Sequence, residues 1–221
     1  MGKETFSYTR MKFFTRARGF VQRILRGEDV VLIAQSPEGW NAQYTSGTWE
    51  YALDDLPNTR FLYEYIRSYA EKENRAIRVL DVGCGNGALG ALVSPHENIS
   101  YVGLDFSKDA LEQAKVHVPH GTFVQADATN PPNTLGIFDC IVFNEVLYYT
   151  NPLVTLPRYA PFSTSRTQIL VSIVRFQMSI RSFLVWKRIL PFLKAVKRKS
   201  LRGAKKHQKW DIVIATYANI S

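Results

Sequence analysis

Residues 79–90 read VLDVGCGNGALG. An apolar run closes on Asp81, and Gly83, Gly85 and Gly87 follow at alternate positions. Glycines let a backbone turn sharply and approach a ligand where a Cβ would block it. A helix starting just beyond offers unpaired N–H groups to an anion. From Arg75 onward, short apolar runs alternate with helical stretches. The strand candidates are 77–82, 101–104, 122–125, 138–143 and 168–174, and the clearest helix between them is 108–117. That alternation predicts a doubly wound parallel α/β sheet with helices on both faces. Two more strand candidates, 195–201 and 210–217, are separated by too few residues for a crossover helix, so they should form an antiparallel hairpin.

The glycine loop alone decides little, because Gly85-x-Gly87-x-x-Gly90 also fits the dinucleotide pattern. The spacing downstream carries more. Twenty-two residues after Gly83 comes Asp105, closing the second strand in YVGLDFS. A carboxylate there can accept both hydroxyls of a ribose. Twenty-two residues further comes Asp127, closing the third strand in FVQADAT, where a carboxylate can take an adenine amino group. The fourth strand, in FDCIVFNEVLYY, ends on Asn144 and Glu145. Ligands of open parallel sheets bind at the carboxyl ends of the strands, and Asp81, Asp105, Asp127 and Glu145 all fall there.

In that order these motifs resemble the class I S-adenosylmethionine-dependent methyltransferases, over about residues 44–221. The resemblance implies a Rossmann-like seven-stranded sheet of order 3-2-1-4-5-7-6, S-adenosyl-L-methionine as cofactor, and methyl transfer as the activity. It implies cofactor contacts from Asp81, Gly83, Cys84, Gly85, Gly87, Asp105, Phe106, Asp127, Ala128 and Asn144. The segment YTSGTWEY, 44–51, looks like the N-terminal cap of small-molecule members, with nodulation-type N-methyltransferases among them. The chain then divides into a basic helix and aromatic cap, 1–57, and a cofactor-binding domain, 58–221. A dinucleotide oxidoreductase fits less well, since it would start its first strand nearer the N-terminus.

Methyl transfer is an in-line displacement, so holding nucleophile and methyl in line supplies much of the catalysis. A base is needed when the nucleophile carries a proton it does not lose easily. Glu145, Tyr148 and Tyr149 are the candidates, with Glu145 alternatively capping a helix or touching the cofactor. No histidine follows Glu145 in EVLYY, which argues against a histidine base. His96, His117, His120 and His207 lie at expected surface or helix-end positions, and none has metal-ligand spacing. Tyr44, Trp49 and Tyr149 are substrate-facing candidates, and an aromatic face can also stabilise a sulfonium. Each could instead be a hydrophobic anchor.

Charge is uneven along the 221 residues. Residues 1–26 carry seven basic side chains and one acid; residues 27–174 carry nine basic and seventeen acidic; residues 175–210 carry twelve basic and none acidic. The basic ends suit an anionic acceptor, a nucleic acid or a membrane surface, or are simply solvated. Residues 8–26 have the pattern of a basic amphipathic helix that could dock on anionic lipid. Nucleic acid is disfavoured as the acceptor, because Asn144 is followed by Glu145-Val146-Leu147 rather than a Pro-Pro-aromatic run. No stretch is long and apolar enough to span a bilayer. Two cysteines, Cys84 and Cys140, cannot build a disulfide framework, so a reducing, cytoplasmic setting is expected. The reading favours methyl transfer to oxygen or nitrogen of a small, anionic or sugar-type molecule. The oligomeric state is left open.

Overall fold

The computed structural model describes residues 37–54, 56–175, 180–203 and 208–218. The basic helix expected over 8–26 lies outside them. Seven strands form one sheet: β1 (Ile77–Val82), β2 (Ile99–Asp105), β3 (Thr122–Gln125), β4 (Cys140–Asn144), β5 (Gln168–Val174), β6 (Leu193–Arg202) and β7 (Lys209–Tyr217). Their order is β3-β2-β1-β4-β5-β7-β6, as the resemblance implied. β1 to β5 run parallel, and β7 is antiparallel to both β5 and β6.

The inner strands β1, β2, β4 and β5 are buried along most of their length because both faces are covered, while the edge strand β3 is partly exposed. Leu80, Val82, Leu104, Ile141 and Phe143 enter one core layer; Ile77, Val79, Cys140 and Val142 enter the other. Among the described residues, six helices flank the sheet: α1 (Pro37–Thr45), α2 (Pro57–Glu73), α3 (Ala88–Val93), α4 (Lys108–His117), α5 (Pro152–Thr155) and α6 (Ile180–Ile189). Leu62, Ile66 and Ala70 make a one-turn-spaced stripe on α2, which packs with Leu89 and Val93 of α3 on one face. Val185 and Ile189 of α6 pack on the other with Leu156, Tyr159 and Phe162 of a 3₁₀ segment, Leu156–Phe162.

Local chemistry sets the element ends. α2 begins with Pro57, whose missing N–H costs nothing in a first turn. It ends at Asn74 in the left-handed region, whose N–H donates to Ala70 and Glu71 carbonyls. The Ser107 hydroxyl caps α4 by accepting from the Ala110 N–H at 3.1 Å.

Two expectations change. Residues 35–57, whose prolines and glycines among aromatics suggest an irregular segment, contain α1 and a 3₁₀ turn, Glu50–Leu53. Pro37 opens a helix here rather than breaking one, and Trp40 and Tyr44 share a face one turn apart. β4 starts at Cys140 rather than Phe138. The Asp139 carboxylate instead accepts from the Arg78 N–H at 2.8 Å and from the Arg75 guanidinium. Chain order reverses beside β1, with β2 on one side and β4 on the other, which opens a crevice at their carboxyl ends.

The stripe on α2 carries a testable consequence. Leu62 is fully buried, so Leu62→Ala should cost about 2–5 kcal/mol, read from urea denaturation. A loss below about 0.5 kcal/mol would mean that α2 does not seat on the sheet.

Candidate active site

The loop after β1 is bolted to the end of β2. The N–H groups of Gly83 and Cys84 donate to the Leu104 carbonyl at 2.7 and 3.0 Å. Asp105, 7% exposed, closes β2. One of its oxygens accepts from the Gly85 N–H at 3.0 Å, the other from the Ser107 N–H at 2.9 Å. A carboxylate has about four acceptor sites, so capacity remains on both oxygens. Gly83 and Gly85 have φ of +72° and +54°. A Cβ on Gly83 would lie 2.6 Å from Val146 Cγ2, and one on Gly85 would lie 2.7 Å from the Tyr44 hydroxyl. Backbone conformation and crowding both demand glycine there.

A cavity of about 880 Å³ opens at the carboxyl ends of the strands. Asp81, Gly83, Cys84 and Gly85 line it from the glycine loop. Asp105 and Phe106 line it beyond β2, and Asp127 and Ala128 beyond β3. Asn144, Glu145, Tyr148 and Tyr149 line it beyond β4, and Tyr44 and Trp49 cover it from the N-terminal side. Gly87 is the exception among the sequence candidates. It sits at the N-cap of α3, where a Cβ would press on Ala114 and Val118, so it serves helix packing and does not line the cavity.

The carboxylates differ in their surroundings. Asp81 is 2% exposed and accepts from the Tyr101 hydroxyl at 2.8 Å through one oxygen, while its other oxygen has no partner. Burial pushes its pKa up to about 7, against the lowering effect of Tyr101. Burial also raises Asp105, against the N–H groups of Ser107 and Gly85. Asp127 is exposed and accepts from the Thr129 N–H and hydroxyl at 2.7 and 2.8 Å. Glu145 has φ of +61°, which turns its side chain back toward β5. It accepts from the Ser172 hydroxyl at 2.8 Å, the Tyr148 hydroxyl at 2.9 Å and the Val174 N–H at 3.0 Å. Burial outweighs these three donors and lifts its pKa to about 7. The Tyr148 hydroxyl is driven well above its ordinary value, by burial first and the Glu145 charge second, so it stays protonated at neutral pH.

An aromatic cap closes one side. Trp40 stacks on Trp49 at 5.6 Å between centroids and meets Tyr149 edge-on at 4.7 Å. Hydrogen bonds tie the cap to the loop and to α4. The Asn86 amide donates to the Trp49 carbonyl at 3.0 Å, the Ser107 hydroxyl to Asn41 Oδ1 at 2.7 Å, and Gln113 to the Tyr44 carbonyl at 3.0 Å.

The cavity also holds residues that sequence reasoning passed over. Trp40 was hidden by reading 35–57 as irregular. Asn58 opens α2 fully buried, and its amide donates to Asn144 Oδ1 at 3.0 Å while its own Oδ1 has no partner. Trp210 and Gln208 form a wall from the β6–β7 hairpin. Only a polar residue at the start of an apolar helix could have flagged Asn58; nothing in the sequence marks Trp210. Among the described residues no histidine lines the cavity, and no group of three His, Cys, Asp or Glu side chains is arranged to hold a metal ion. His207 lies outside the described residues.

Residues 79–156 match a family profile described as a methyltransferase domain. An uncharacterised methyltransferase of Synechocystis is 34% identical over 118 residues, 51% of this chain and 54% of that protein. A release factor glutamine methyltransferase of Lactococcus lactis is 35% identical over 100 residues, 43% of this chain and 36% of that protein. The matched segments thus span about half of one relative and about a third of the other. The N-methyltransferase NodS of Bradyrhizobium japonicum, solved with S-adenosyl-L-homocysteine, superposes with a TM-score of 0.62 at 18% identity, covering 76% of this chain and 91% of its own. At that identity the likeness is one of fold. The glycine loop, the strand order and the profile agree: residues 79–156 match a methyltransferase domain, carried on a Rossmann-like methyltransferase fold.

Proposed function

We propose that the protein transfers a methyl group from S-adenosyl-L-methionine to an oxygen or nitrogen atom of a small molecule, anionic or sugar-type. The observation that carries this reading is the pair of buried carboxylates, Asp81 and Asp105, at the ends of adjacent strands around the glycine loop. Asp105 is already oriented by two backbone N–H groups and keeps acceptor capacity for a ribose diol. Asp81 presents a buried, unpartnered oxygen, which a cationic amino group would satisfy. Asp127 and Ala128 stand where an adenine would lie, and Gly83, Cys84 and Phe106 line its approach. When bound, the cofactor supplies an electrophilic methyl carbon on a cationic sulfur. The aromatic cap and the acidic loop both favour positive charge in the cavity.

The acceptor's proton goes to the Tyr148–Glu145 pair. Tyr148 donates to Glu145, whose carboxyl is poised near neutrality. A proton leaving the nucleophile reaches the Tyr148 oxygen as the phenolic proton passes to Glu145. Ser172 and the Val174 N–H hold the carboxylate still while this happens. Tyr44, Trp49 and Tyr149 shape the cavity mouth for the acceptor. Of the N-terminal segment 1–57, the described residues 37–54 act as a cap on the cofactor domain 58–221. The buried free thiols of Cys84 and Cys140 suit a reducing, cytoplasmic setting. No helix among the described residues is long and apolar enough to cross a membrane.

Three outcomes test this. Asp105→Ala should weaken S-adenosylhomocysteine binding by about 2 kcal/mol or more, roughly 30-fold, by calorimetry; an unchanged affinity would remove Asp105 from the site. Asp81 holds its proton up to about pH 7 in the fold, so affinity for the cationic cofactor should rise from about pH 6 to about pH 8 as it ionises. Asp81→Asn should flatten that dependence, and a persisting slope would assign it to another group. With any acceptor found by screening, Tyr148→Phe should lower kcat by about 10²-fold or more and leave cofactor affinity intact. Full turnover in that variant would defeat the proton route.

A further inference from the structure

The β6 edge carries cations that the cofactor site does not use. β6 ends the sheet, and no described strand pairs with its outer side. Its ten residues, LKAVKRKSLR, extend about 30 Å at the usual strand rise. Lys194, Lys197, Arg198, Lys199 and Arg202 are all exposed, and none makes an ion pair with a described residue. Lys197 and Lys199 fall opposite Ile214 and Ile212 of β7, while Arg198 falls opposite Val213. Alternation along the strand therefore puts positive charge on both sides of the edge. The one acid of the hairpin, Asp211, is held by Arg175 and Ser200. The strand also leads to the cavity, since Leu201 pairs with Trp210, which forms the cavity wall.

We infer that this edge is a docking track for the phosphate backbone of single-stranded nucleic acid, separate from the methyl acceptor in the cavity. Two other occupants fit less well. A bilayer surface would call for apolar side chains beside the cations. Among the residues whose side chains are described, which exclude 180–183 and 195–196, the large exposed apolar ones are Leu53, Val116, Ile137, Leu153 and Val154, and none lies on β6, β7 or α6. An added peptide strand would need a regular ladder, but a bulge between Ala195 and Lys197 breaks the register, and edge lysines deter strand addition. A flexible polyanion needs neither an apolar anchor nor a ladder. Lys197 and Lys199 lie two residues apart, about 6.6 Å, with Lys194 on the same side and Arg198 and Arg202 on the other, and five phosphate contacts along the two sides of the edge make binding steeply salt-dependent.

The test is fluorescence anisotropy of the full chain with a labelled oligouridylate of about 20 nucleotides, titrated at several salt concentrations. Five contacts predict a log–log slope of about −3.5, which is about 100-fold weaker binding at 200 mM than at 50 mM salt. Reversing three charges together (K197E, R198E and K199E) should bring the slope to about −1.4 and weaken low-salt binding by about 30-fold or more. The milder pair Lys197→Gln with Lys199→Gln should lower the slope by about 1.4 if the reversed variant does not fold. S-adenosylhomocysteine affinity should be unchanged in both variants, so failure of this inference and failure of the cofactor assignment are read separately. A flat salt response, variants that bind the oligonucleotide as wild type does, or β6-dependent binding of phosphatidylglycerol vesicles without oligonucleotide binding would each overturn the inference.

Discussion

The carboxylate of Asp105 holds the site together before any ligand arrives. By accepting from the Gly85 and Ser107 N–H groups, it fastens the glycine loop to the end of β2 and sets the first turn of α4. Charge-assisted hydrogen bonds of this kind are among the stronger ones in proteins. Gly83 and Gly85 make the arrangement possible, since a side chain on either would collide with Val146 or Tyr44. Placing Asp105 therefore also places the floor and one wall of the cavity.

Burying that carboxylate beside Asp81 has an electrostatic cost, visible in the raised pKa of both. Asp81, pushed up to about 7, keeps a proton that the unfolded chain releases at about pH 4, so its contribution to stability falls as pH rises from about 4 to about 7. A cationic ligand reverses the balance, because it favours the ionised form of Asp81. The same logic applies across the cavity at Glu145, where Ser172, Tyr148 and the Val174 N–H offset part of the burial. Two carboxyls raised to about 7 at the ends of the neighbouring strands β1 and β4 give the crevice one cation-favouring group and one proton-accepting group.

Much of this was legible in the residues. The parallel strands and the closing hairpin could be read because their apolar runs are continuous and bounded by turn residues. The ends of β1 and β5 fell where the pattern put them. Asp81, Asp105 and Asp127, which all line the cavity, stood out because one residue type recurs as apolar runs end. The cap was harder. In PEGWNAQYT the proline looks like a breaker, and the aromatic contacts that stabilise α1 come from Phe106 and Tyr149, far away in the chain. Asn58 and Trp210 were illegible for the same reason. Their place at the cavity depends on how α2 and β7 pack on the sheet, which no local pattern encodes. Gly87 differs from its neighbours in the motif, since it packs against α4 and does not line the cavity.

The division of charge follows the same geometry. Carboxylates line the crevice, while five cations of the described residues lie along β6, the last strand of the sheet. The central claim is that the crevice holds S-adenosylmethionine and not another nucleotide. Calorimetric titration of the full chain with S-adenosylhomocysteine and, separately, with NADH tests it most directly. The account predicts saturable binding of the sulfur compound and none of NADH; binding of NADH, or of neither, would contradict it.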